Sequence, residues 1–240
     1  MELRLKQLAE HIWLLPHNPN ENVAQSSIGV VVSQNESVLI DVGNSPRLAR
    51  KIKMELTRND LPPVSLIIYT HHHWDHVYGA CEFDVPATAH KICQSILSEE
   101  SKKPWGIKYL SEEIKREPKL TVSYSARAKA IYDWETFRVV VPEEVFESEK
   151  ALHLNRLTIE LEHVGGEHAE DSIVVKIPQD RVMFIGDCYY PPPVHLRTPD
   201  SAPSLDMLGK LQNDAYDLYV EGHAKPFTRA KLLKFLRKNG

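Results

Sequence analysis

With 240 residues and 42% hydrophobic side chains, the chain is long enough to bury a full core as one domain spanning 1–240. Its formal net charge of −4 offers no general basic surface for nucleic-acid phosphates, so nucleic acid is not an expected partner. The three cysteines, Cys81, Cys93 and Cys188, are irregularly spaced and argue against a disulfide framework; with no secretory pattern at the start and no apolar run of membrane-spanning length, a cytoplasmic protein with no membrane partner is expected.

Ile12 to Leu15, closed by Pro16, then Ile28 to Val32 and Val38 to Ile40, are short apolar or β-branched runs that read as antiparallel strands. The third run leads into Asp41-Val42-Gly43-Asn44-Ser45-Pro46, where Ser45 can cap a helix and Pro46 suits its first turn. Leu48, Ile52 and Leu56 recur at helical spacing and leave Arg50, Lys51 and Lys53 for solvent. Val64 to Tyr69, without a charge, reads as a buried strand.

The seven residues that follow, Thr70-His71-His72-His73-Trp74-Asp75-His76, are the chemical centre of the sequence. Neutral imidazole and carboxylate are the side chains a borderline divalent cation prefers. In an extended stretch His71 and His73 share a face while His72 turns away. A bend afterwards would throw Asp75 and His76 to the other side, where they could hold a second cation. The plain alternative is a solvated histidine-rich loop.

His71-x-His73-x-Asp75-His76, after a hydrophobic strand and a threonine, resembles the metal-binding signature of the metallo-β-lactamase superfamily, in the form seen in glyoxalase II enzymes. The resemblance implies an α+β fold, a four-layer αββα sandwich, and hydrolysis with two metal ions. It also implies that Asp41 and Gly43 match the family's Asp-x-Gly motif, in which the aspartate supports the metal loop without ligating. Glyoxalase II usually has Gly-Gly after the histidine, where this chain has Tyr78-Gly79; Tyr78 reads as pocket lining or, more plainly, as packing.

Val77 to Phe83 looks like a helical turn, Val85 to Ala89 a short strand, and His90 to Glu99 a helix. The charged segment from Glu100 to Lys150 carries Trp105, Tyr109, Tyr124, Tyr132, Trp134 and Phe137 without a clean period. It reads as a lid or an oligomer contact, which admits a homodimer, against ordinary core packing. Leu157, Ile159, Leu161 and His163 then alternate with polar residues as a half-buried strand, which makes His163 a core histidine.

His168 lies in the loop before the strand Ile173 to Ile177, where a ligand could reach the same metal face. Its surroundings are similar to the Gly-His-Thr-x-Asp segment of metallo-β-lactamases, with Glu167 and Ala169 in place of Gly and Thr. Val182 to Ile185 is another buried strand, and a carboxylate just beyond it, Asp187, needs a partner or a cation. The resemblance implies that Asp187 bridges two metals; many β-lactamases use a cysteine in this motif, and Cys188 sits one residue late. Pro191-Pro192-Pro193 forces an extended loop, Leu205, Leu208 and Leu211 suggest a helix, and Leu218 to Val220 a last strand. Glu221-Gly222-His223 resembles the motif that supplies the final metal ligand. Thr228 to Lys238 reads as an amphipathic cover helix.

Carried over residue by residue, the resemblance implies that His71, His73 and His168 hold one divalent metal, Asp75, His76 and His223 the other, and that Asp187 bridges them. Zinc is the expected metal, with iron and manganese also suited to these donors. Two cations can share a hydroxide at neutral pH, with Asp75 accepting and returning the proton. The expected function is hydrolysis of a small carbonyl substrate: a thioester, lactone, ester or β-lactam. Alternatives within the fold are a mononuclear iron persulfide dioxygenase and a phosphodiesterase or ribonuclease.

Overall fold

A computed structural model describes residues 3–20 and 22–239. Two sheets lie face to face. The first runs in chain order, β1 (Lys6–Gln7), β2 (Ile12–Leu15), β3 (Ile28–Val32), β4 (Ser37–Ile40), β5 (Val64–Ile68), β6 (Ala87–His90) and β7 (Glu144–Phe146). Its first four strands form an antiparallel meander, and the pairings from β4 to β7 are parallel. The second comprises β8 (Glu149–Leu154), β9 (Leu157–His163), β10 (Ile173–Ile177), β11 (Val182–Gly186), β12 (Leu218–Glu221) and β13 (Phe227–Thr228) in that spatial order. Only its β11–β12 pairing is parallel.

The layers follow from the two-residue period of a strand. Along β3 and β4, Val31, Val38 and Ile40 point into the core between the sheets, while Ile28, Val30 and Leu39 point into an outer core. Val175, Val182, Phe184 and Val220 meet them from the second sheet, whose Val174, Met183, Ile185 and Tyr219 face a second outer core. Both faces of the central strands are therefore covered, so they read as continuous apolar runs.

Helices close the outer cores. These are α1 (Pro46–Arg58), α2 (Trp74–Val77), α3 (Lys91–Ser101), α4 (Ile107–Arg116), α5 (Thr121–Ala130), α6 (Leu205–Leu211) and α7 (Arg229–Asn239). Ser45 caps α1, its hydroxyl accepting from the Leu48 amide at 3.3 Å, and Leu48, Ile52 and Leu56 enter the first outer core beside Cys93 and Leu97 of α3. Leu208, Leu211 and Leu232 bring α6 and α7 against the second sheet. The result is the four-layer αββα sandwich expected.

Two similar units face each other. β3, β4, α1 and β5 repeat as β10, β11, α6 and β12: an antiparallel pair, a helix, then a parallel strand. Even the kink at the end of the second strand recurs, with Asp41 after Ile40 at φ 60° and Gly186 after Ile185 at φ 50°.

The segment 100–150 is more ordered than its composition predicts, containing α4, α5, β7 and the start of β8. Its aromatics show no period because they are spread over several elements: Trp105 precedes α4, Tyr109 lies in it, Tyr124 lies in α5, and Tyr132, Trp134 and Phe137 lie in the loop after it. Trp105, Trp134 and Phe137 converge on the first outer core, with Tyr78 stacked edge-on or tilted against Trp105 and Phe137. Tyr78 is thus packing. The β6 strand and α3 each begin slightly later than predicted, with His90 as the cap of α3. Among the described residues, no helix is long and apolar enough to cross a membrane.

Candidate metal centre

The centre lies where β4, β5, β11 and β12 end. Chain leaving β5 supplies His71 and His73, α2 supplies Asp75 and His76, and the ends of β11 and β12 supply Asp187 and His223. His168 arrives from the loop before β10. Gly165 and Gly166, at φ 61° and 129°, turn the chain there in a way side-chain-bearing residues rarely tolerate.

All seven sequence-predicted residues come together. His71, His73 and His168 form one triad of donor atoms, and Asp75, His76 and His223 another; a third, His71, His76 and Asp187, overlaps both, the atoms of each triad lying within 4.8 Å of one another. The His73 Nδ1 atom is 3.0 Å from His71 Nε2 and 3.0 Å from His168 Nε2. Asp187 Oδ2 lies between the sets, 3.3 Å from His168 Nε2, 3.2 Å from His223 Nε2 and 3.5 Å from His76 Nε2. Asp75 Oδ2 is 3.1 Å from His223 Nε2 and 3.9 Å from His76 Nε2.

Hydrogen bonds behind the rings aim their lone pairs inward. Asp41 accepts from the Thr70 amide and hydroxyl at 2.8 Å each and from His76 Nδ1 at 2.7 Å. Since the Thr70 proton points at Asp41, the 3.1 Å contact between Thr70 Oγ1 and His71 Nδ1 has the ring as donor. His168 Nδ1 donates to the Pro191 carbonyl at 2.8 Å. In the neutral form of all three histidines the proton sits on Nδ1, which leaves Nε2 as the atom that can face a metal with its lone pair. Asp41 thus has the supporting place the sequence reading gave it.

Electrostatics agree with that arrangement. Burial holds His71 and His73 well below the usual imidazole range, reinforced by His76 for the first ring and His71 for the second. Burial pushes the Asp75 and Asp187 carboxyls up, yet His223 and His76 outweigh it and keep both well below the usual carboxylate range. Burial pulls His223 down, but Asp187 and Asp75 raise it to about 10, and Asp41 and Asp187 likewise hold His76 well above its ordinary value. Without a cation, protons on these two rings balance the carboxylates.

The donor set fits metal. His76 Nε2 and Asp187 Oδ1 are buried with no hydrogen-bond partner, an expensive condition for polar atoms that a cation would relieve. Three imidazole nitrogens at 3.0 Å steps cannot all be satisfied by one another's protons, whereas donors around a tetrahedral zinc lie about 3.3 Å apart.

Other candidates lie outside. His72 turns away, as its spacing predicts, with Nδ1 2.7 Å from Asp171 Oδ1. His163 stacks on His90, ring centres 3.7 Å apart, and bonds the Glu170 carbonyl. Cys188 belongs to the second outer core, where burial pushes its thiol far up, so it is not in any of the donor groups.

A family model described as the metallo-beta-lactamase superfamily matches residues 22–223. The chain belongs to the metallo-beta-lactamase superfamily. Its members bind metal ions and are mostly hydrolytic enzymes. Among solved structures, a metallo-beta-lactamase from Pontibacter korlensis aligns over 100% of both chains with a TM-score of 0.66 and 17% identity. The DIM-1 metallo-beta-lactamase aligns over 99% of this chain and 96% of its own, with a TM-score of 0.65 and 18% identity. Both likenesses are of fold. A linear primary-alkylsulfatase from Pseudomonas sp. (strain ATCC 19151) is 26% identical over 228 residues, covering 83% of this chain; the match spans 42% of that relative's length.

In this superfamily member the centre forms the floor of an open cleft of about 790 Å³. One wall is α5, within the segment read as a lid or interface, and the other is the loop after the triple proline, including Val194 and His195. Sequence reasoning missed Tyr190, which lines the cleft and donates to Glu221 at 2.9 Å, while the His223 amide donates to its hydroxyl at 3.3 Å. Tyr189 also donates to Glu221. The signal was present: Glu221 is a carboxylate at the end of an apolar strand, the same condition that exposed Asp187.

Proposed function

We propose that the protein is a dinuclear metal-dependent hydrolase of small carbonyl substrates, within the thioester, lactone, ester and β-lactam classes. The observation that carries this reading is the position of Asp187, whose Oδ2 is within 3.5 Å of nitrogens from both donor sets. His71, His73 and His168 would hold one ion and Asp75, His76 and His223 the other. A pair of divalent ions held there, zinc first among them, would supply an activated water at neutral pH and polarise the substrate oxygen.

The chain's own residues do the rest. The cleft walls hold the substrate over the donor cluster. Asp75, kept ionised by His223 and His76 and lining the cleft, is the carboxylate placed to take the water proton and return it to the leaving group. His223 and Asp187 hold Asp75 in register, and Tyr190 braces the His223 backbone. No nucleophilic serine or cysteine is needed.

A second reading, hydrolysis of sulfate esters, is favoured by the aligned alkylsulfatase. Metal analysis of protein purified without added metal, wild type against Asp187→Ala, tests the centre. About two zinc ions per chain, falling on substitution, supports it; a single iron or no metal overturns it. Assay of the zinc-loaded protein on a p-nitrophenyl ester, a thioester, a lactone, a β-lactam and an alkyl sulfate then separates the two readings.

A further inference from the structure

The chain is acidic overall, yet among the described residues the side chains of the cleft walls that carry charge are all basic. Among the described residues Asp75 and Asp187 are the only carboxylates lining the cleft, and both belong to the donor cluster on its floor. Lys119 precedes α5, Arg127 and Lys129 lie on it, and His195 and Arg197 come from the facing loop. Lys119 has Glu117 at 3.7 Å, while Arg127 has no such partner among the described residues; cations gathered in a concave site focus a positive potential on whatever enters.

Arg127 is the most built of them. Its guanidinium carbon lies 4.8 Å from the Tyr124 ring centre, 5.2 Å from Trp105, 5.6 Å from Tyr78 and 5.8 Å from Trp74. Four rings hold the fork in place, whereas an ordinary surface arginine is free to move. Among the described residues it has no carboxylate within ion-pair distance, and its Nε is buried without a hydrogen-bond partner. Trp74 stands between the ligand-position residues His73 and Asp75, so the guanidinium is one indole ring from the centre. Burial, then Arg127 and Lys119, lower the affinity of His195 for a proton, so it offers the cleft a neutral imidazole and its hydrogen-bonding nitrogens in place of a charge. Beside these cations Val122 and Val194, 62% and 55% exposed, give the walls an apolar surface.

We propose that the α5 wall is an anion-recognition subsite: the substrate carries, apart from the bond that is cleaved, a carboxylate or similar oxyanion held by Arg127 and flanked by Lys119 and His195. The chain between that anion and the reacting group packs on Val122 and Val194. A planar guanidinium matches an oxyanion with paired hydrogen bonds, and such charge-assisted bonds are the strong ones in a partly desolvated cleft. This proposal rests on the hydrolase reading for its kinetic test and on binding for an independent one.

The kinetic test compares 4-nitrophenyl hydrogen adipate with 4-nitrophenyl hexanoate, esters of equal chain length that differ in the distal carboxylate, on zinc-loaded protein. The expected result is a kcat/KM ratio of roughly tenfold or more in favour of the anionic ester, expressed in KM, that collapses towards one in Arg127→Gln. Calorimetric titration with adipate and with hexanoate reads the same subsite without turnover: adipate should bind roughly tenfold or more tightly in wild type and lose that advantage in Arg127→Gln. If Arg127→Gln does not fold, the double variant Lys119→Gln/Lys129→Gln, at exposed positions, should reduce both ratios several-fold. Cleavage of both esters at equal rates overturns the subsite and leaves the hydrolase reading intact. No cleavage of either ester counts against the hydrolase reading, and then equal binding of adipate and hexanoate by wild type overturns the subsite too.

Discussion

Asp41 Oδ2 lies 2.7 Å from His76 Nδ1, so a carboxylate that faces away from the donor cluster decides which nitrogen of His76 faces into it. The same oxygen accepts the Thr70 hydroxyl, which orients His71, so one side chain fixes two donors assigned to different ions. Asp41→Asn keeps the shape and the left-handed backbone that Asp41 adopts at φ 60°, because asparagine tolerates that region. Its amide cannot accept every proton now given to Asp41. We expect zinc affinity to fall about 10- to 100-fold with little change in fold, read by competition with a chromophoric chelator. Undiminished affinity would show that the ring orientations are set elsewhere.

Gly222 separates Glu221 from His223, and a Cβ there would lie inside contact distance of Asp187 Oδ1 and 3.0 Å from His76 Cε1. The obstacle is a carboxylate pinned among imidazoles, so it cannot swing aside as a surface side chain would. Gly222→Ala should therefore displace Asp187 and lower metal occupancy by about tenfold or more at limiting zinc. Thermal unfolding of the metal-free protein should change far less than metal content does. A variant that binds zinc normally would place Asp187 outside the centre.

Much of this was legible because it depended on local periodicity. Two-residue alternation marked β9, short apolar runs marked β3, β4, β5, β10 and β11, and the crowding of imidazoles after β5 marked the centre. Glu221 and Tyr190 were overlooked because their link crosses 31 positions and leaves no local pattern. β8 was invisible for another reason: as an edge strand with mostly exposed or half-exposed residues, its Glu149 to Leu154 sequence carries little apolar signal. The aromatics around α4, α5 and the following loop were read as aperiodic, which is true of the stretch and misleading about their destinations: Trp105 and Tyr124 flank Arg127, while Trp134 and Phe137 pack beside Tyr78.

Cys188 tests whether adjacency in sequence implies a shared role. It follows Asp187, yet it is 1% exposed in the outer core formed with α6 and α7. Cys188→Ala should leave zinc stoichiometry unchanged and destabilise the fold by about 1 kcal/mol, measured by urea unfolding of the metal-free form. Loss of a zinc ion on this substitution would return the thiol to the donor set.

Protons and metal compete for the same atoms, which gives the centre a signed pH dependence. In the metal-free protein His223 titrates near 10 against an ordinary 6.5, since Asp187 and Asp75 outweigh the effect of burial. A raised folded-state pKa contributes stability that is fully present below about 6.5 and lost as pH rises through about 10. Metal-free protein should therefore lose stability across that interval. With zinc bound, Nε2 carries no proton, and this group contributes no such loss. Zinc uptake near pH 7 must expel the protons of His223 and His76, while Asp75 and Asp187 have none to give. Its heat should vary with the ionisation enthalpy of the buffer, and apparent affinity should rise with pH by up to about tenfold per unit for each proton displaced. Heats independent of buffer, with an affinity flat from pH 7 to 9, would mean that these imidazoles are already unprotonated and that the carboxylates do not hold them as the geometry implies.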